Sequence, residues 1–206
     1  MINDDAASRK NPNPQGKGLV PLLRDWHSIQ PALRGPKTPA DFLRDYCLSS
    51  MVLAAEFRFK PVVGQRYFLY ARENGWSLSL VAPHEWGERR VGQFVANCQL
   101  RTDMTWNLDA SGMDPSSLAA TRAQTFICAF VATLSSHPSI TAHLPFYKAT
   151  VPYYQRLLGT ALASSLSASL PPGGDDMQAL LQAQTSAPLL PAAARAPILL
   201  PAGSSC

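Results

Sequence analysis

Residues 64–87 read Gly64-Gln65-Arg66-Tyr67-Phe68-Leu69-Tyr70-Ala71-Arg72-Glu73-Asn74-Gly75-Trp76-Ser77-Leu78-Ser79-Leu80-Val81-Ala82-Pro83-His84-Glu85-Trp86-Gly87. Two β-rich runs, 67–71 and 76–80, flank an Asn-Gly dipeptide, the strongest short-range signal for a β-hairpin. Successive strand residues point to opposite faces. Trp76, Leu78 and Leu80 are therefore expected on one side, with Ser77 and Ser79 on a wet one. The first run is apolar on both sides, with Tyr67 and Leu69 opposite Phe68 and Tyr70, which predicts a central strand covered by helices. Pro83 to Gly87 is expected to form a tight helical turn leading to a third strand, roughly 94–100, and 102–108 a short fourth.

Helical patterning surrounds this block. A short helix is expected from about 19 or 21 to 30, with Leu22, Leu23, Trp26 and Ile29 on one face. Arg34-Gly35-Pro36 breaks the chain. A second helix starts with Thr38 as N-cap and Pro39 at its first position, and Asp41 suits the positive end of the helix. Phe42, Tyr46, Leu53 and Phe57, flanked by Cys47 and Val52, form its stripe, and Lys60-Pro61 sets its latest end. Beyond the sheet, Asp114 is expected to cap and Pro115 to open a helix whose buried stripe is Leu118, Phe126, Ile127, Phe130, Val131 and Leu134. A last helix from about 150 tolerates Pro152 only in its first turn and faces Tyr154, Leu157, Leu158, Ala161, Leu162 and Leu166 inward. The predicted fold class is α+β: N-terminal helices, a small antiparallel β-meander of three or four strands, then two C-terminal helices.

Proline marks the boundaries, with six of eighteen at or before Pro39 and six at or after Pro171. The expected organisation is a disordered lead over 1–17, a core domain of helices and aromatic sheet over 18–110, a helical segment over 113–170 that packs on the core or on a partner, and a flexible Pro/Ala/Leu-rich tail over 171–206. Within the tail, the run from Met177 to Gln184 reads as linker, or else as a transient helix or docking motif.

Residues 18–110 hold eleven Lys/Arg against nine Asp/Glu, so the net charge of +4 reflects no concentrated basic face. That argues against nucleic-acid binding. Cys47, Cys98, Cys128 and Cys206 have no paired spacing and read as reduced thiols, the first three as small buried hydrophobes. The opening Met1-Ile2-Asn3-Asp4-Asp5 does not resemble a signal peptide, and the apolar run from Phe126 to Leu134 is too short to cross a bilayer. A soluble cytoplasmic protein is the expectation, with no membrane association.

No nucleophile elbow, phosphate-cradling glycine loop or metal-ligand spacing occurs, so no cofactor, metal or catalytic residue is assigned. His27, His84, His137 and His143 are isolated. The adjacent His84 and Glu85 offer proton transfer only if a pocket raises the carboxyl pKa. The competing account is structural: Pro83 starts a turn, Trp86 plugs the sheet, and Gly87 adopts a conformation closed to other residues. Exposed aromatics offer a third possibility, a groove for a peptide rimmed by Arg66, Arg72 and Arg101.

One family shares these motifs. Gly64, Leu69-Tyr70, Glu73 with Gly75, Ser79, Pro83-x-Glu85-Trp86-Gly87 and Leu100-x-x-Asp103-x-x-Trp106 resemble the pattern of the family catalogued as domain of unknown function 2452. Phe68 stands where that pattern has tyrosine, so a hydroxyl there does not matter. The resemblance covers residues 64–106, implies a domain and no activity, and links Glu85, Trp86, Asp103 and Trp106 as one set. Asp103 is expected to accept a hydrogen bond from a Trp indole or from turn amides near Trp86, stapling the ends of the sheet.

The functional expectation is a non-enzymatic module that binds a protein or itself through the aromatic sheet or the helical pair, with Tyr70, Trp76, Glu85, Trp86, Asp103 and Trp106 as binding residues. The alternatives are a small acid–base or hydrolytic enzyme near His84, Glu85 and Asp103, and RNA binding through Arg89, Arg90 and bases stacked on Tyr70 or Trp76.

Overall fold

The structure is a computed structural model that describes residues 27, 29–32, 35–87, 92–136, 139–145 and 150–183. The chain divides into two units, Met1–Gln30 and Pro31–Cys206. In the first, only His27, Ile29 and Gln30 are described. The expected lead and most of the expected first helix therefore lie outside the described residues.

The second unit opens with helix α1, Pro39–Leu53. Thr38 is extended, and its hydroxyl accepts the Asp41 amide at 3.1 Å, while Pro39 has no amide to leave unpaired. Phe42, Leu43, Tyr46, Cys47 and Met51 are buried along it. The helix ends at Leu53, well before Lys60. The next residues pair instead as strand β1, Ala55–Glu56, with Ala55 opposite Trp76 and Glu56 opposite Ser77. Phe57 thus leaves the helical stripe, and its ring packs beside Phe59 at 5.7 Å. Unpaired backbone on a neighbouring strand outweighs local helical spacing here.

Strands β2 (Arg66–Arg72), β3 (Gly75–Ser79), β4 (Gln93–Leu100) and β5 (Trp106–Asp109) complete a sheet of order β1-β3-β2-β4-β5. The central place expected for the first run is that of β2. The sheet is mixed, because β1 runs parallel to β3 while the other pairs are antiparallel. The fold is α+β, but it is not a purely antiparallel meander. The β2–β3 loop is Glu73-Asn74, neither with a positive φ; Gly75, at φ 133°, supplies the turn's left-handed residue. Ser77 is buried rather than wet, because Trp86 packs over its cross-strand neighbour Tyr70. Leu80 lies past the end of β3 and is exposed.

Helix α2, Leu118–Ser135, is capped by Ser117, whose hydroxyl accepts the Ala120 amide at 3.1 Å. Asp114, expected as the cap, instead binds the Ser116 amide and hydroxyl in the preceding turn. Leu118 therefore falls at the helix start, 56% exposed, and outside the buried stripe. By length and composition α2 would pass as a membrane span, but Ala119, Ala123, Ile127 and Leu134 are buried in the protein. Helix α3, Tyr153–Ala168, buries Leu157, Leu158, Ala161, Leu162 and Leu166 as its spacing predicts. Helix α4, Met177–Ala183, lies inside the segment read as tail, and its Leu180 is buried. Residues 184–206 lie outside the described residues.

The helices reach the sheet through specific contacts. Phe126 of α2 meets Trp76 edge-on at 6.3 Å, and Tyr46 of α1 meets Phe130 of α2 at 5.0 Å. Trp106 on edge strand β5 donates its amide to the Ser49 hydroxyl of α1 at 2.9 Å, so α1 satisfies an edge group that no strand pairs. Ser49→Ala leaves that buried N–H without an acceptor. It is expected to lower stability by about 1–3 kcal/mol, measured as a lower urea midpoint at unchanged m-value.

Candidate functional site

A charged cluster sits where α1 meets the β4–β5 hairpin. Asp45 is 2% exposed and Asp103 4%. Lys37 Nζ lies 2.8 Å from Asp45 Oδ2 and 3.1 Å from Asp103 Oδ2. Arg101 Nη1 lies 3.1 Å from each Asp45 oxygen. Asp103 Oδ1 accepts the Thr105 amide at 3.1 Å and its hydroxyl at 2.6 Å. Burial alone would raise the Asp103 carboxyl; the Thr105 and Lys37 hydrogen bonds and the Lys37 charge prevail and hold it below the ordinary carboxylate value.

The expected staple is thus corrected. Asp103 binds Lys37 and Thr105, not a tryptophan indole or the amides near Trp86. Trp106 is buried beside Tyr67, rings 5.8 Å apart, so it belongs to the core rather than to a binding surface.

Trp86 belongs to the opposite end of β4. Its ring meets Tyr70 edge-on at 6.0 Å, and Tyr70 meets Phe94 at the same distance. Tyr70 is 2% exposed and donates its hydroxyl to the Val81 carbonyl at 2.8 Å. Burial raises its pKa, partly offset by the adjacent Trp86 indole. Such a ring offers no face to a base. Glu85 closes the Pro83–Glu85 turn, its carboxylate accepting the Ala82 amide at 2.6 Å. His84 is exposed beside it. Strand β4 runs from this turn to the Asp103 hairpin, about 20 Å away at the rise of a strand. His84, Glu85 and Asp103 therefore do not converge. Arg89 and Arg90 lie outside the described residues.

Cys47 and Cys98 are buried, as composition suggested, while Cys128 is half-buried. Burial pushes the Cys47 thiol up to about 12 and Cys98 higher still, which keeps both protonated and unreactive. Among the described residues no group of three or more metal-ligating side chains is present.

The remaining expected residue, Trp76, lines an open cleft of about 990 Å³ beside the β2–β3 turn. Arg72 and Glu73 at the hairpin, Gln93 at the start of β4, and Leu118 and Arg122 of α2 line it with Trp76. Arg122 Nη2 donates to the Glu73 carbonyl at 3.0 Å, and Gln93 accepts the Ala119 amide at 2.9 Å. Arg72 Nη1 stands 3.8 Å from a Glu56 oxygen, and its buried Nε has no acceptor among the described residues. Sequence reading placed Arg72 at a groove rim but missed Leu118 and Arg122. Only the position of the Ser117 cap, one turn after Asp114, signals that Leu118 escapes the buried stripe.

Residues 41–125 match the model of a family described as protein of unknown function (DUF2452). This region is a DUF2452-like domain. It runs from α1 through the sheet into the first half of α2, taking in Asp45, Arg101, Asp103 and most of the cleft, while Lys37 precedes it. No curated protein and no solved structure matches the chain.

Replacing Asp103 by Asn keeps the shape but removes a charge that Lys37 faces. Stability at pH 7 is expected to fall by about 1–3 kcal/mol. Because the folded Asp103 pKa is depressed, its contribution is complete above the unfolded value near 3.9 and is lost as pH falls through the folded value. The gap between wild type and Asp103→Asn should therefore begin to narrow as pH falls below about 4, which denaturant melts at pH 7 and pH 3 will read.

Proposed function

We propose that the chain is a non-enzymatic interaction module that binds a protein partner, or a second copy of itself, through the cleft beside the β2–β3 turn. The lining of that cleft carries the reading: Arg72, Arg122 and Trp76 surround an open space, and Leu118 stands beside them largely uncovered. Tryptophan and arginine dominate binding energy at protein interfaces, where a large flat side chain or a planar guanidinium loses water to a partner. The cleft lies between the aromatic sheet and the helical pair, so both surfaces contribute to it.

Acid–base chemistry has weaker support. Glu85 is committed to a turn amide and Asp103 to Lys37 and Thr105. A general base needs a free lone pair, and a general acid a transferable proton, within reach of substrate.

The test is affinity capture from native lysate with full-length wild type and with a Leu118→Asp/Arg122→Glu variant whose folding circular dichroism has verified. Partners retained by wild type should drop at least tenfold on the variant. Sedimentation velocity of both proteins tells a second copy from another protein. The same partners on both, or no partner and no self-association, would contradict the reading.

A further inference from the structure

Residues 184–206 carry a period of three: Pro188, Pro191, Ala194, Pro197 and Leu200 recur at every third position. Arg195 is the only charged side chain in that stretch. A polyproline II helix has three residues per turn, so in that form the five share one edge and Arg195 stands beside it. Such a helix has no internal hydrogen bonds, and its prolines lack an N–H. It therefore presents carbonyl acceptors and few donors.

The cleft beside the β2–β3 turn has the opposite character. Its half-buried Trp76 has an indole N–H with no acceptor among the described residues. Arg72, its side chain 42% exposed, stands 3.8 Å from Glu56, beyond hydrogen-bond reach. Trp76, Leu118 and Pro152 give the apolar surface, and aromatic-lined grooves are the usual receptors for polyproline II segments. Glu73, exposed at the rim, pairs with no cation among the described residues, which leaves its carboxylate open to Arg195.

We propose that the chain's own Pro191–Leu200 segment occupies this cleft in cis as a polyproline II helix, so that an outside partner must displace it. The Pro197 edge lies on Trp76 and Leu118, and carbonyls of the segment accept from the Trp76 indole and the Arg72 guanidinium. Reach permits this. Helix α4 packs on α2, which is about 27 Å long and carries Leu118 at its start. Residues 184–197 extend up to about 43 Å in polyproline II form, enough to reach Leu118 from any point of that contact. This occupant presupposes that the cleft is a protein-binding surface, and it regulates that surface.

The probe is a synthetic peptide of residues 187–201, read by the Trp76 indole and Leu118 methyl resonances of the full-length protein. In a Pro191→Gly/Pro197→Gly/Leu200→Ser variant both resonances should move from their wild-type positions, equally at high and low protein concentration. The peptide should bind that variant saturably and return the resonances toward those positions. Wild type should bind it at least tenfold more weakly, because the tethered segment competes at a millimolar effective concentration. Adding Leu118→Asp/Arg122→Glu to the segment variant should abolish peptide binding. Resonances that the segment substitutions leave in place would overturn the proposal. So would a variant that shows no saturable peptide binding, or a shift that depends on protein concentration, which puts the segment of a second copy in the cleft. Partner capture separates this claim from the one it presupposes. If any of those contrary results appears while the segment variant still retains partners that Leu118→Asp/Arg122→Glu loses, the occupant is wrong and the interface stands.

Discussion

The Lys37 ammonium sits between two carboxylates that have almost no water, one on α1 and one on the β4–β5 hairpin. A carboxylate buried without a counter-charge costs several kcal/mol, so neither Asp45 nor Asp103 tolerates the loss of its cation. Two acids face two cations here, with Arg101 completing the set, and the charges cancel only when α1 lies against the hairpin in one register. A buried ion network of this kind contributes less to net stability than an apolar cluster of equal size, and its consequence is placement. With α1 held there, Ser49 meets the Trp106 amide, Trp106 pairs with Leu100, and β5 closes the sheet.

The hairpin itself carries strain at this point. Thr102, Asp103 and Met104 form the loop closed by Arg101 N–H to Thr105 carbonyl at 2.9 Å. Met104 has φ 62°, a conformation usually filled by Gly or Asn at the third position of such a loop. A non-glycine residue there costs about 1–2 kcal/mol. The two Thr105 bonds to Asp103 and the burial of the Met104 side chain offset that cost. The other end of β4 is held by different contacts, Trp86 on Tyr70 and the Glu85 turn.

Local signals were legible wherever one or two residues decide the geometry. Thr38-Pro39 located the start of α1, the alternation around Tyr67 and Leu69 located the central strand, and the apolar spacing of α3 held from Leu157 onward, while Tyr154 in its first turn is only half-buried. What failed depended on partners distant in the chain. Helix α1 ends at Leu53 because β3 offers Ala55 and Glu56 a ladder, which no spacing within 39–60 reveals. Asp114 and Ser117 are both good caps, and only the packed position of Ala119 and Ala123 selects the second. The sequence pattern singled out Asp103 correctly as a structural residue but not its partners. Lys37 lies 66 residues away, and Asp45 looks like an ordinary polar break in an apolar stripe. The cleft escaped notice for the same reason, since it joins a hairpin to two helix starts.

Native-state hydrogen exchange of the Thr105 and Trp106 amides tests the clamp most directly. In wild type both should exchange only through global unfolding, because one donates to Asp103 and the other to Ser49. In Lys37→Gln both should exchange faster, while Leu69 and Ala96 in the β2–β4 ladder keep their protection. Unchanged exchange at Thr105 and Trp106 in that variant would contradict the account.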